Sequence, residues 1–238
     1  MTPPSNDGTL LVAADAAALA LTAAHLVRAL IGEAAHRRSD TVKIALSGGS
    51  TPRVMNRHLA GLEVPWSKVD VCWVDERFVA YDSPRSNFGA AREDLFSRVN
   101  DARVYPMPGG GDLSSAARDY AARLREVFGG GPPVFDLVLL GIGDDGHTAS
   151  LFPDEPFVDD EGATVLAIPP SGDREARITL SRKVITSAKR ILVLAQGEAK
   201  KVPIARARSA GSRRETPARL VRECQGEVLW LIDADARP

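Results

Sequence analysis

Residues Val134–His147 read VFDLVLLGIGDDGH. An apolar run broken by one acid ends at Gly141, and a turn rich in glycine, aspartate and histidine follows. A run this continuous has no polar face. It belongs to a strand covered on both sides, as strands are in a parallel sheet. Outward from it, TVKIALSGG (41–49), VDVCWVDE (69–76), RILVLAQG (190–197) and EVLWLID (227–233) have the same character, and ARVYPM, ATVLAI and ARITL read as shorter strands. Helical spacing runs from Asp15 to about Arg37, over SNFGAAREDLF (86–96) and DLSSAARDYAARLREVF (112–128), and from about Glu198. Asp15, Ser86 or Asn87, and Asp112 stand where N-caps belong. Strands alternating with helices predict an α/β fold: a mostly parallel, twisted, Rossmann-like sheet of six or seven strands with helices on both faces. Between about 153 and 180 the alternation loosens, which predicts a small antiparallel excursion.

The chain has 238 residues, no internal repeat and no linker, so one domain over 1–238 is expected, with residues 1–10 as a ragged lead-in. With 30 basic and 31 acidic residues there is no global field to attract nucleic acid. The basic stretch RARSAGSRRE (206–215) is short and lacks interleaved aromatics. No signal peptide is read at the N-terminus, and no apolar run reaches the length of a bilayer span, so a cytoplasmic protein without a membrane partner is expected. Cys72 and Cys224 both sit in apolar runs and read as reduced core residues. No metal-ligand spacing is present. A monomer is expected, with a weak homodimer as the alternative.

In an open parallel sheet, ligands bind beyond the carboxyl ends of the strands. Four strands here end in polar or glycine-rich loops: 47–51, 75–77, 141–147 and 197–200. The first, SGGSTPR, lies between a strand and a helix. Ser47, Gly48, Gly49, Ser50 and Thr51 offer backbone N–H groups, hydroxyls and a helix N-terminus, which suits a phosphate as well as an ordinary capped turn. It is neither a Walker sequence nor a dinucleotide fingerprint. In VDERFV (74–79), Arg77 offers a planar fork of donors to an anionic group, and Asp75 a partner for a proton or hydroxyl; a solvated turn with a local ion pair is the plainer alternative. His147 can take and return a proton near neutral pH, with Asp145 placed to orient its ring. Asp144 reads as a solvated loop carboxylate. Lys200, in GEAKK, reaches back toward the phosphate in this scheme, and Arg177 is a second candidate cation. His25, His36 and His58 have no partner motif, and Trp66, Trp73 and Trp230 read as packing.

Taken together, LSGGSTP, VDERFV with SNFGAARE, and GIGDDGHTASLFP resemble the 6-phosphogluconolactonase branch of the glucosamine-6-phosphate isomerase/6-phosphogluconolactonase family. The resemblance runs from about Leu11 to Asp233. It implies hydrolysis of 6-phospho-D-glucono-1,5-lactone to 6-phosphogluconate in the oxidative pentose phosphate pathway, with a sugar phosphate lactone as the small-molecule partner and with no metal or organic cofactor. By the same resemblance, 47–51 and Lys200 form the phosphate site, Asp75, Arg77 and Asn87 contact substrate, His147 is the catalytic base with Asp145 in its turn, and Arg177 stands where a basic residue recurs. The deaminase branch carries an aromatic where this chain has Arg77, and a glutamate five residues after the histidine, where this chain has Phe152.

Overall fold

Every strand of the main sheet runs parallel to its neighbours, in the order β1-β10-β9-β6-β2-β3-β5. These are β1 (Thr9–Ala13), β2 (Val42–Leu46), β3 (Val69–Trp73), β5 (Arg103–Val104), β6 (Leu137–Leu140), β9 (Arg190–Ala195) and β10 (Glu227–Asp233). A three-stranded antiparallel sheet joins β4 (Asp75–Arg77), β8 (Arg177–Leu180) and β7 (Val165–Ile168). The computed structural model describes residues 6–37 and 40–238.

The central strands are covered on both faces, as their apolar runs require: every residue of β2, β3 and β6 is buried. Helices α1 (Ala16–Arg37) and α2 (Ser50–Leu59) pack on each other, and α1 also packs on β1, β2 and β10. Helix α4 (Leu113–Val127) packs on β7 and β8. The caps fall where the side chains predict. Asp15 accepts from Ala18 N–H at 2.8 Å, and Asp112 accepts from Ser115 N–H at 2.8 Å. Ser86 caps α3 (Asn87–Ala91) by accepting from Gly89 N–H at 2.9 Å. Cys72 and Cys224 are buried free thiols, and burial pushes the Cys72 thiol up to about 12.

Three features depart from the sequence expectation. The edge strand β1 begins at Thr9, inside the stretch read as lead-in; the first five residues of that stretch lie outside the described residues. Pairing with β10, together with Leu10 and Ala13 packed on the core, holds it there. VDVCWVDE is two strands, not one: at Val74 the chain leaves the parallel sheet, its N–H donating to Leu46 O while its carbonyl accepts from Leu180 N–H. The excursion predicted over 153–180 therefore recruits a third strand from residues 75–77. Finally, α1 has the length of a bilayer span, 22 residues with a mean hydropathy of 1.3 over its most apolar window. Its many alanines lift that average without a bulky apolar run. Leu19, Ala23, Val27, Leu30 and Ile31, at helical spacing, are buried in the core.

Strand order sets the position of the site. From β2 the chain builds outward through β3 to β5, then crosses to the other side of β2 and continues through β6. The sheet thus reverses between β2 and β6, and a crevice opens beyond their carboxyl ends.

Candidate active site

The loops after β2 and β6 line that crevice, a cleft of about 330 Å³. Ser47, Gly48, Gly49, Ser50, Thr51, Asp75, Arg77, Asn87, His147, Arg177 and Lys200 all face it. Of the residues read as candidate catalytic or binding groups, Asp145 lies off its wall.

The loop after β2 is pinned where Ser47 Oγ donates to Leu139 O of β6 at 2.7 Å. Gly49 is the N-cap of α2, at φ 120°, a conformation that side-chain-bearing residues rarely adopt. No side chain caps this helix. Its first N–H groups and positive dipole end face the cleft uncompensated, the arrangement that binds anions. Arg53, the last residue of SGGSTPR, turns away: its Nε donates to Asp94 at 2.6 Å and braces α2.

In the loop after β6, His147 Nδ1 lies 2.6 Å from Asp145 Oδ1, which also accepts from the His147 backbone N–H at 2.9 Å. The bond to His147 holds the Asp145 carboxyl down to about 2, so it is ionised and can only accept. Neutral His147 therefore carries its proton on Nδ1 and leaves the Nε2 lone pair free. Two glycines make the turn possible. Gly146 sits at φ 87°, and a Cβ on Gly143 would stand 2.1 Å from His147 Nδ1. The Phe152 ring packs against the imidazole, tilted by 38° with centroids 4.7 Å apart, and Arg174 covers the same Phe152 ring at 3.9 Å.

The third wall comes from the antiparallel sheet. Alternation along β4 sends Asp75 and Arg77 to one face and Glu76 to the other. In the β4–β8 ladder Arg77 stands directly opposite Arg177, and Asp75 opposite Thr179. Like charges opposed across a strand pair are unfavourable, so this pair concentrates positive potential at the cleft. Arg177 is offset by Asp75 Oδ2 at 3.9 Å and Glu175 Oε2 at 3.8 Å, and burial pulls its guanidinium below the usual arginine range. The Nε atoms of Arg77 and Arg177 are buried without an acceptor. Asp75 itself is buried. Its Oδ2 accepts from Ser150 Oγ at 2.7 Å, and Asn87 Nδ2 donates to its carbonyl oxygen at 2.9 Å. On the far rim Lys200 Nζ meets Asp144 Oδ1 at 2.6 Å.

Sequence reasoning did not pick out Ser150, Gln196 or Glu76. Ser150 stands three residues after His147, but its partner Asp75 is 75 residues away and only the fold joins them. Gln196 follows the last residue of β9 and lines the cleft. Glu76 looks like part of a solvated charged turn; it is wholly buried.

A model of the family described as glucosamine-6-phosphate isomerases/6-phosphogluconolactonase matches residues 14–230. The 6-phosphogluconolactonase of Synechocystis sp. is 38% identical over 202 residues, which cover 81% of this chain and 82% of its own. The human 6-phosphogluconolactonase is 34% identical over 202 residues, covering 81% and 78% respectively. Among solved structures, the 6-phosphogluconolactonase of Trypanosoma brucei aligns with a TM-score of 0.84 at 30% identity, covering 96% of this chain and 97% of its own.

Proposed function

The chain belongs to the family of glucosamine-6-phosphate isomerases and 6-phosphogluconolactonases, and from that premise we propose that it hydrolyses 6-phospho-D-glucono-1,5-lactone to 6-phosphogluconate with His147 as general base. The reaction breaks the C1–ring-oxygen bond and adds the elements of water, leaving a carboxylic acid at C1 and a hydroxyl at C5. Neutral His147 takes a proton through Nε2 as water attacks C1. Charge then gathers on the former carbonyl oxygen, and the N–H donors of Arg177, on β8, are the groups at hand to hold it. The imidazolium, stabilised by ionised Asp145, returns its proton to the ring oxygen as the C1–O bond breaks. One group thus acts first as base and then as acid, a role worth roughly 10²- to 10⁴-fold in rate. The new carboxylic acid ionises in water and releases one proton per turnover.

Ser50, Thr51, the open N-terminus of α2 and Lys200 hold the 6-phosphate in this scheme. Anchoring the phosphate at one end of the cleft fixes C1 against His147 at the other, and positioning of that kind supplies several kcal/mol. The observation that carries the proposal is the pairing of an Nδ1-protonated imidazole with an uncapped helix N-terminus across one cleft. Phe152 favours lactone hydrolysis over the deamination run by the sister branch. An apolar ring packed against His147 stands at the sequence position of the deaminase glutamate and cannot exchange a proton. We read the protein as a cytoplasmic monomer acting on this small molecule alone.

The test is the loss of lactone, with spontaneous hydrolysis subtracted, at a pH where the latter is slow. Wild-type protein should turn over the phosphorylated lactone, and His147→Asn should lose at least 100-fold in kcat. Near-wild-type turnover by His147→Asn would refute the assignment of the base.

A further inference from the structure

Glu76 is wholly buried, and no step above uses its carboxylate. It points away from the cleft, behind Asp75 and Arg77. Its Oε1 accepts from the backbone N–H groups of Arg77 at 2.8 Å and Asn87 at 2.7 Å. Its Oε2 accepts from Phe88 N–H at 2.8 Å and from Ser86 Oγ at 3.0 Å. Four donors from two separate segments therefore meet on one carboxylate. A helix N-cap alone needs only the hydroxyl that Ser86 already supplies.

What the carboxylate organises is the binding wall. One oxygen grips the backbone of Arg77 and of Asn87 together. The Asn87 side chain in turn donates to Asp75 O at 2.9 Å, and it lies so close to the loop after β2 that a Cβ on Gly48 would stand 1.7 Å from Asn87 Oδ1. A continuous path of contacts thus runs from Glu76 through Asn87 to the loop that opens α2. His147 stands outside this path, on the turn after β6.

We propose that Glu76 is a positioning residue for substrate binding: it sets Arg77 and Asn87 against the substrate and, through Asn87, the register of the Gly48 loop. The role rests on the functional reading above. Its signature is a change in KM rather than in kcat, because the groups it holds bind substrate while the proton-transfer group is held elsewhere. A carboxylate is suited to the task because all four partners donate and an ionised carboxylate only accepts. Burial pushes the Glu76 carboxyl up, and the N–H groups around it favour its charged form.

The experiment measures kcat and KM for 6-phospho-D-glucono-1,5-lactone, per mole of folded protein, alongside the urea midpoint. Wild-type protein is assayed first; absence of turnover there refutes the functional reading itself and so removes the role assigned to Glu76. Glu76→Gln replaces one acceptor oxygen with an N–H₂ group that faces two donors. It should raise KM at least tenfold with kcat within threefold. In an Asn87→Ala background the same substitution should raise KM less than threefold, since its principal route is gone. Val228→Ala truncates a buried side chain at the opposite end of β10 from the cleft, and it should lower the urea midpoint with KM unchanged. A Glu76→Gln protein that loses stability but keeps KM within twofold overturns the proposal. So does an undiminished KM effect in the Asn87→Ala background. If Glu76→Gln does not fold, Ser86→Ala removes one of the four donors and should raise KM about threefold; an unchanged KM overturns the proposal equally.

Discussion

Replacing Asp145 by Asn tests the charge behind the His147 imidazole. The asparagine oxygen can still accept from His147 Nδ1–H and from the His147 backbone N–H, the two bonds now made at 2.6 and 2.9 Å. Geometry is kept and the charge is lost. The fall of the Asp145 carboxyl from its ordinary 3.8 to about 2 corresponds to about 2.4 kcal/mol, with the bond to the His147 ring its largest cause. Half of its side chain is exposed, however, at 51%, and water screens the pair; about 1 kcal/mol survives. Coupling is reciprocal, so the imidazolium formed in the proposed reaction loses the same stabilisation. That predicts a fall in kcat of about fivefold with KM within twofold. The assay is a pH-stat titration of the acid released on lactone opening. An unchanged kcat would refute an electrostatic role for Asp145, and a loss approaching the unscreened limit of about 60-fold would show that screening is far weaker than half-exposure implies. Stability supplies a second readout. The folded-state value is depressed, so the contribution of Asp145 is fully present above pH 4 and disappears as pH falls toward about 2. Asp145→Asn should lack that part of the acid loss.

Two further outcomes follow from the cleft. Lys200→Ala should raise KM for the phosphorylated lactone about tenfold, from loss of a charge-assisted hydrogen bond, and leave the unphosphorylated lactone unaffected; comparison of the two substrates checks it. Gly143→Ala would drive a methyl group to 2.1 Å from His147 Nδ1, so kcat should fall about 100-fold by displacement of the imidazole, with the overall fold, followed by circular dichroism, retained.

Much of the site was legible before the fold. Glycines and titratable groups at the ends of apolar runs pointed to loops that a parallel sheet gathers on one edge, and 47–51, 141–147 and Lys200 meet there. The wall formed by Asp75, Arg77 and Arg177 was legible only as residue types. Its arrangement depends on the chain changing sheets at Val74, where nothing in the apolar run changes: Val74 is as buried as Trp73 before it. Glu76 was misleading for the same reason, since three consecutive charged residues read as a solvated turn until residues 86–88 supply donors to bury one of them.

Local chemistry therefore determined what could be read locally. Caps at Asp15, Ser86 and Asp112 act over three residues, and continuous apolar runs declare strands covered on both faces; these properties need no distant partner. Tertiary structure alone decided that Arg77 faces Arg177, that Ser150 holds Asp75, and that Glu76 is enclosed. The physical reason is that burial and cross-strand pairing are properties of two segments at once. A side chain's partner 75 or 100 residues away along the chain leaves no periodicity in the sequence around it.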